Sequence, residues 1–332
     1  MIGYYVHHHG RGHLTRARGV AAHLDEPVIG LSSLPPPPEG HSPCDGWVQL
    51  ARDDAAGGPA DPTAHGTLHW VPRHDAGLRD RMSAIAAWIE TARPSVVVVD
   101  VSVEVAALVR LLGVPVVVVA LPGDRADRAH QLAFGMADAI LAFWPQEVYD
   151  PPWLQPHAAR THFVGAASRF DGRPLAPAVT PRARRSGVLI GGTGGSEITA
   201  EQYAELPGSW DWQVLTGNPQ QTWIDDPWPA LCAADVVVTH AGQNAVAEVA
   251  AAGRPAVVLP QARPYREQER TAQALAGAGI AHVPAAWPTA AEWPSALARA
   301  QVLGGTGWPR WRGADAARSA AAVIAAVGRS RH

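Results

Sequence analysis

Short apolar runs recur along the chain, and most are followed by a turn and a segment with helical character. The runs are rich in β-branched residues, which is typical of buried parallel strands, and they lie at residues 2–6, 28–31, 96–100, 116–121, 137–142, 161–165, 187–190, 213–217, 236–239 and 256–260. Helices are predicted at 14–24, 76–92, up to Leu112, at 243–252 and at 314–327. This alternation predicts an α/β fold with parallel sheets.

Two stretches repeat one pattern. Residues 96–121 and 235–260 each run through a strand, a helix, a Gly-x-Pro turn and a second strand. A chain of 332 residues can form two α/β domains of about 150 residues each. We therefore expect a first domain over 1–169, a linker over 170–186, a second domain over 187–312, and a last segment, 313–332, whose helix returns to the first domain. Residues 33–62 are rich in Pro, Gly and Asp and predict a long loop.

The basic residues and the net charge of the chain exclude some classes of function. The chain has no lysine, so all 27 of its basic side chains are arginines, and a P-loop ATPase with its Gly-Lys-Ser/Thr is excluded. A phosphate would have to be bound by Arg, His or backbone N–H groups. The formal net charge of −3 and the pI near 6.6 do not indicate a nucleic-acid partner.

The cysteines and the lengths of the apolar runs predict where in the cell the protein is located. Cys44 and Cys232 are far apart in sequence and are interpreted as free thiols of a reducing compartment. Since no apolar run reaches 18 residues and the N-terminus begins with a strand, we expect a cytoplasmic protein without a transmembrane helix. Peripheral contact with a membrane is left open by the sequence.

The turn between residues 239 and 243 carries the first candidate site. It joins a buried strand to a helix N-terminus, where free N–H groups and the helix dipole favour an anion. His240 and Asn244 lie beside this terminus, and Glu248 shares a helix face with Asn244 because it is four residues further on. A carboxylate there suits a sugar diol. With Gln261, Glu267 and Gln268 downstream, the segment predicts contacts to phosphate, ribose and a hexose.

The second candidate site follows the first strand. Thr15 stands where a dinucleotide-binding Gly-x-Gly-x-x-Gly motif needs its third glycine, so a nicotinamide site is disfavoured. His13 falls in the first turn of the helix, and its imidazole suits a general base near neutral pH. Asp100, at the end of another strand, either orients His13 or caps the following helix. Four histidines within residues 7–13 lack acidic or Cys partners at metal spacing, so we expect no metal site.

The downstream motif resembles the donor half of GT-B glycosyltransferases, in particular MurG-type enzymes and UDP-glycosyltransferases. It is carried by His240, Gly242, Asn244, Glu248, Gly253, Pro255, Pro260, Glu267 and Gln268. The chain departs from the family pattern at Thr271, often Asn in the family, and at Ala245, often Ser or Thr. This resemblance implies a GT-B fold, with two Rossmann-like domains facing a central cleft.

Three further segments are similar to family elements. Gly10, Gly12, His13 and Arg16 match the Gly-x-Gly-His-x-x-Arg opening, with Gly12 near the donor. Arg169 takes the place of an arginine that reaches the donor phosphate, although Asn-Pro is missing from the usual Gly-Asn-Pro-x-Arg. The turn at Gly192, Thr193 and Gly194 would bind the diphosphate together with Gln243, which lies at the helix N-terminus. Ile224 would contact the nucleotide base.

The resemblance implies an activity. It is a metal-independent, inverting hexosyl transfer from a nucleotide-diphosphate sugar, with UDP expected, to an acceptor hydroxyl or amine, without a further cofactor. His13 would be the base, with Asp100 supporting it. One alternative is a hydrolase of the same fold in which His13 activates water, and another is a sugar epimerase. A third is a non-catalytic paralogue that binds nucleotide sugars, which the alanines at positions 241 and 245 leave open.

Overall fold

The computed structural model describes residues 1–8, 12–38, 44–53, 59–175, 184–191, 199–215 and 226–330. The chain forms two compact units. The first comprises Met1–Phe143, Pro151–Val164 and Ala316–His332, and the second comprises Trp144–Asp150 and Gly165–Asp315.

The first unit is built on a parallel sheet. Its elements are β1 (Ile2–Val6), α1 (Gly12–Ala21), β2 (Val28–Ser32), β3 (Gly46–Gln49), α2 (Ala76–Ala92), β4 (Val96–Asp100), α3 (Val103–Leu111), β5 (Val116–Ala120), α4 (Arg128–Met136), β6 (Ala139–Ala142), a 3₁₀ segment (Pro152–Arg160) and β7 (Thr161–Phe163). Within the described part of the chain the strand order is β3-β2-β1-β4-β5-β6-β7. Every residue of β1, β4 and β5 is buried, as expected for strands covered on both faces.

Strand register brings the loops of this sheet together. Val6 pairs with Asp100, and Asp100 pairs with Val119, so β1, β4 and β5 end at the same edge. The segments that enter α1, α3 and α4 leave from this carboxyl edge, where open α/β sheets bind ligands.

The second unit has a smaller parallel sheet. Its elements are β8 (Arg185–Ile190), α5 (Ala200–Ala204), β9 (Trp210–Leu215), α6 (Trp228–Ala233), β10 (Val236–Thr239), α7 (Gln243–Ala252), β11 (Ala256–Val258), a 3₁₀ turn (Pro264–Arg266), α8 (Glu267–Gly277), α9 (Trp293–Leu303) and α10 (Trp308–Arg312). Among the described residues the strand order is β11-β10-β8-β9. Trp293 and Leu297 of α9 pack with Val236, Val238 and Val257 in its core.

The last helix, α11 (Ala316–Arg329), lies in the first unit, where it packs against α1, β4 and β6. The unit boundaries differ from the expected ones. Residues 165–175, which the sequence divided between the first domain and a linker, pack with the second unit, and β8 begins at Arg185, inside the expected linker.

Several elements differ from the sequence-based expectations. Residues 33–62 contain a strand, β3, that pairs in parallel with β2. The sequence did not predict α4, α5, α6, α8, α9 and α10. Cys44 and Cys232 form no disulfide, as expected, and both are buried. The tryptophans serve mainly as core: Trp144, Trp293, Trp308 and Trp311 are fully buried. In the part of the chain that the structure describes, no helix is long and apolar enough to cross a membrane.

Candidate functional sites

The first candidate site is centred on Asp100 at the end of β4. Its carboxylate is fully buried and accepts hydrogen bonds from two residues of α1. Nδ1 of His13 lies 2.9 Å from Oδ1, and Nη1 of Arg16 lies 2.8 Å from both Oδ1 and Oδ2. His13 and Arg16 are three residues apart and share one helix face, so both reach the same carboxylate.

The charge of Asp100 determines how His13 is protonated. Burial by itself raises the pKa of this carboxyl, but the charges of Arg16 and His13 and their hydrogen bonds outweigh it and hold the pKa below its usual value. An ionised carboxylate only accepts hydrogen bonds. In its neutral form His13 therefore donates from Nδ1, and Nε2 keeps the lone pair that a general base needs.

Asp100 does not cap the following helix, which removes one of the two roles that the sequence left open. The N-cap of α3 is Ser102, whose side chain accepts from the backbone N–H of Val105. Between them Val101 has φ 65°, a left-handed conformation that is unfavourable for a β-branched residue. The chain thus turns sharply directly after the carboxylate, as strained segments at functional sites often do.

Arg16 is a member of this site that the sequence did not assign to it. Its side chain is buried, and its guanidinium lies 5.0 Å from the ring centroid of Phe143. The available signal in the sequence was the separation of three residues between His13 and Arg16, which puts both on one helix face. A buried guanidinium needs a partner charge, and Asp100 provides it. Of the neighbouring histidines, which were expected in a partly exposed loop, His8 is buried and its ring stacks on His7.

The second candidate site is the turn after β10. Gly242 is the N-cap of α7 and has no side chain, so no N-cap side chain occupies the backbone N–H groups that open the helix. The N–H of Gly242 donates to Nδ1 of His240 at 2.9 Å, which puts the ring proton on Nε2. A Cβ on Gly242 would come within 2.5 Å of Cε1 of His240, so any other residue here would have to displace the His240 ring.

His240 is uncharged at neutral pH. Burial of the ring and the nearby charge of Arg263 lower its pKa to about 4. The ring also makes a side-chain hydrogen bond with Gln268, which helps to hold the neutral imidazole beside the helix N-terminus.

Gln268 connects the loops that follow β10 and β11. Its Oε1 accepts from the backbone N–H of Ala241 at 3.1 Å and from that of Gln261 at 3.0 Å, and the side chain is buried. The structure thus gives Gln268 a role in holding both loops, which the sequence did not reveal. Its predicted contact with the sugar stays a prediction.

Two residues assigned to different parts of the donor lie in contact. Nε of Arg169, expected on the phosphate, donates to Oε1 of Glu248, expected on the ribose, at 2.8 Å. Burial raises the pKa of Glu248, and Arg169 offsets part of that rise. The other α7 residues of the site, Gln243 and Asn244, lie half-buried in its first turn.

The remaining predicted residues divide into two groups. Gln261 follows β11, where its Oε1 accepts from Arg263 at 3.0 Å, and Glu267 begins α8 after a turn in which Tyr265 and Arg266 have positive φ. Gly12 is the first residue of α1. Gly192, Thr193, Gly194 and Ile224 lie outside the described residues.

The first unit also contains a cluster of side chains of the types that bind metals, away from the histidines of residues 7–13. Donor atoms of His69, Asp127 and His130 lie within 4.8 Å of one another. Nδ1 of His130 contacts Asp127, while its Nε2 lies 2.8 Å from Nη1 of the buried Arg125. With both ring nitrogens engaged and a guanidinium adjoining, the arrangement favours a hydrogen-bonded cluster over a cation site. Burial and the charge of Arg125 accordingly lower the pKa of His130 to about 4.

The second site lies in a segment that is similar to a known protein family. Residues 212–286 match the model of the glycosyltransferase family 28 C-terminal domain. The chain is 39% identical over 93 residues to the UDP-N-acetylglucosamine–N-acetylmuramyl-(pentapeptide) pyrophosphoryl-undecaprenol N-acetylglucosamine transferase of Salmonella paratyphi A, covering 27% of this chain and 23% of that protein. It is 30% identical over 148 residues to the same transferase of Nitratidesulfovibrio vulgaris, covering 38% of each. The matches thus span between about a quarter and two fifths of these relatives.

Solved structures resemble the chain over almost its whole length. The glycosyltransferase of kitacinnamycin has a TM-score of 0.65 at 16% identity and is covered to 98%, as is this chain. MurG of Acinetobacter baumannii gives 0.62 at 17% identity, with 98% of this chain and 99% of that chain covered. A UDP-glucosyltransferase of Polygonum tinctorium gives 0.66 at 14%, with 99% of both chains covered. The GT-B fold that the sequence predicted is confirmed, and residues 212–286 are similar to the glycosyltransferase family 28 C-terminal domain.

Proposed function

We propose that the protein is an inverting glycosyltransferase that moves a sugar from a nucleoside-diphosphate donor to an acceptor hydroxyl or amine. The observation that carries the proposal is the N-terminus of α7, which has no side-chain cap, with Glu248 in the second turn of the same helix. The first turn offers N–H groups and a positive dipole to a diphosphate, and the second offers a carboxylate to a hydroxyl of the sugar.

In the proposed reaction the nucleophile of the acceptor attacks the anomeric carbon while the bond from that carbon to the diphosphate oxygen breaks. Nε2 of His13 accepts the proton that the nucleophile loses, and the resulting imidazolium is stabilised by Asp100. The negative charge that develops on the leaving diphosphate would be stabilised by the N-terminus of α7. A single displacement of this kind inverts the anomeric configuration.

UDP is the first donor nucleotide to test. The transferases of Salmonella paratyphi A and Nitratidesulfovibrio vulgaris carry UDP-N-acetylglucosamine in their names, whereas one solved neighbour, the spinosyn rhamnosyltransferase SpnG, was crystallised with thymidine diphosphate. Both nucleotides carry the diphosphate that the α7 terminus would bind.

Calorimetric titration of the whole chain with UDP, GDP and TDP tests the donor site. We expect UDP to bind, and Glu248→Ala to weaken that binding by about 1–3 kcal/mol, the scale of a lost hydrogen bond to a charged group. If the wild-type protein binds none of the three nucleotides, the donor-site proposal is wrong.

Product analysis with UDP-N-acetylglucosamine and other UDP-hexoses tests the reaction. A conjugated sugar supports transfer, whereas free sugar formed at the same rate with and without acceptors indicates a hydrolase. We also propose that the chemistry needs no divalent metal, since α7 and His13 supply the charge stabilisation and the base. Turnover abolished by a chelator and restored by Mg²⁺ or Mn²⁺ would show that a metal is required.

A further inference from the structure

We propose that Arg169 is a positioning residue for Glu248, and that the pair makes the donor site discriminate ribonucleoside diphosphates from their 2′-deoxy forms. The inference rests on the proposed function, because it assumes that Glu248 meets the ribose of the donor. It gives Arg169 a role beyond the phosphate contact that the resemblance implied.

The contact fixes one half of the carboxylate. Oε1 of Glu248 accepts from Nε of Arg169 at 2.8 Å, and Oε2 has no hydrogen-bond partner among the described residues. The Glu248 side chain is only 14% exposed, so Oε2 has little competing water. A carboxylate held through one oxygen presents the other in a defined direction, which suits a single hydroxyl donor.

The side chain of Arg169 is itself held in place by an aromatic ring and by its own turn. Its guanidinium carbon lies 4.7 Å from the ring centroid of Phe170, which is buried and packs against Trp228. The turn that carries Arg169 is closed by Asp171, whose carboxylate accepts from the N–H of Ser168 at 2.7 Å and from Arg312 at 3.0 Å.

The start of the segment is fixed by close backbone contact with the end of α10. Gly165 has φ +82°, and a Cβ there would lie 2.2 Å from the carbonyl oxygen of Arg312. The next N–H, of Ala166, donates to the carbonyl of Trp311 at 3.1 Å. The position of Arg169, and through it that of Glu248, is therefore set before any ligand arrives.

The inference assigns the second carboxylate oxygen, Oε2, to the 2′-hydroxyl of the ribose. A carboxylate oxygen accepts a hydrogen bond from the 2′-hydroxyl of a ribose, and a 2′-deoxyribose has no such donor. If Arg169 were absent, Glu248 would keep its place on α7 but lose its orientation. Burial, which raises the pKa of this carboxyl, would then act without the offset that Arg169 provides. Both effects weaken the bond to the 2′-hydroxyl and leave the diphosphate contacts of α7 in place.

Arg173 provides a matched control. It lies on the same aromatic pair, 5.4 Å from the ring centroid of Phe170 and 5.7 Å from that of Trp228, and it is half-exposed like Arg169. Its guanidinium pairs with Asp226 through two hydrogen bonds of 2.9 and 2.8 Å. Arg173→Met therefore removes a positive charge from the same neighbourhood without touching the Arg169–Glu248 contact.

The experiment compares the affinity for UDP with the affinity for 2′-deoxy-UDP in the wild type, Arg169→Met and Arg173→Met, with thermal unfolding to confirm that each variant is folded. We expect the wild type to bind UDP about tenfold or more tightly than 2′-deoxy-UDP. In Arg169→Met this ratio should fall toward one, mainly because UDP affinity drops. In Arg173→Met the ratio should match that of the wild type.

Each other outcome overturns the inference in a recognisable way. Equal weakening of both nucleotides by Arg169→Met, with the wild-type ratio retained, would show that Arg169 acts on the phosphate alone. A wild-type ratio near one would show that Glu248 does not read the 2′-hydroxyl, while the donor site itself survives. Absence of binding to either nucleotide and to the GDP and TDP of the panel would overturn the proposed function and this inference with it.

Discussion

At the scale of single residues, Asp100 combines two tasks. It orients His13 and balances the buried charge of Arg16, so its removal would leave a guanidinium uncompensated among buried side chains. We expect Asp100→Asn to destabilise the protein by about 3–5 kcal/mol, the range for breaking a buried ion pair from one side. Urea unfolding measures this.

The control is Arg110, which faces Asp138 at 3.5 Å in a half-exposed pair. Arg110→Met should cost less than about 1 kcal/mol, because exposed ion pairs contribute little. Equal losses in the two variants would mean that Asp100 is not a structural charge partner.

The lowered pKa of His240 predicts that the stability of the protein depends on pH. Burial and Arg263 lower the pKa of its imidazole to about 4 in the folded protein, below the value of about 6.5 in an unfolded chain. The unfolded state therefore binds the proton more tightly, and this contribution to stability is present above pH 6.5 and lost as the pH falls toward 4. His240→Asn keeps an acceptor for the N–H of Gly242 but does not titrate.

Unfolding midpoints in urea at pH 7 and pH 5 test this expectation. The wild type should lose more stability than His240→Asn between the two values, while His130, whose pKa is also about 4, contributes the same loss to both. Equal losses would show that His240 is not a buried neutral imidazole.

Much of the first site follows from the sequence at this scale. A carboxylate ending a buried strand and a histidine opening a helix after the neighbouring strand must meet at the same sheet edge, and they do. The sequence does not show which side chains become hydrogen-bond or ion-pair partners of one another. The capping task passed to Ser102, and Arg169 paired with Glu248, because only the folded backbone determines which partner lies within reach.

At the scale of elements, the turn from β10 into α7 depends on one glycine. Gly242 has φ −69°, so the backbone itself admits other residues, but a Cβ would meet both Cε1 of His240 at 2.5 Å and Nδ1 at 2.7 Å. Gly242→Ala should therefore displace the His240 ring and weaken nucleotide binding, with a smaller effect on folding.

Gly277→Ala is the matched control, since a Cβ at the end of α8 meets no atom within 4 Å. It should leave nucleotide affinity unchanged in calorimetry. If Gly242→Ala binds UDP as tightly as Gly277→Ala, the contact between Gly242 and His240 is not part of the donor site.

Elements were predictable where one pattern dominates. The ends of α2 and α7 agree with the sequence because helix-forming runs are bounded by clear stop signals, and Gly253 closes α7 in a left-handed conformation. β3 was missed because it is a short strand between Pro-rich and Gly-rich segments. α9 was missed because its tryptophan and proline at the N-terminus hide a helix whose burial is set by the β10–β11 face.

At the scale of the whole molecule, the fold follows from repetition. Two strand–helix–strand units of the same kind appear in the sequence, and the structure has two parallel sheets with α3 and α7 in corresponding places. The cluster of His69, Asp127 and His130 was not predictable in this way, because His69 lies in a loop 58 residues before Asp127, the N-cap of α4. Spacing along the chain does not reveal contacts made across the sheet edge.

The central claim is that His13 removes a proton from the acceptor while the second unit binds the donor nucleotide. The most direct test pairs two measurements on His13→Ala: the rate of sugar transfer and the affinity for UDP. We expect the rate to fall by about 10²–10⁴-fold, the contribution of a positioned general base, with UDP affinity close to that of the wild type. A variant that keeps near-normal turnover, or that loses UDP binding in parallel with its rate, would contradict the account.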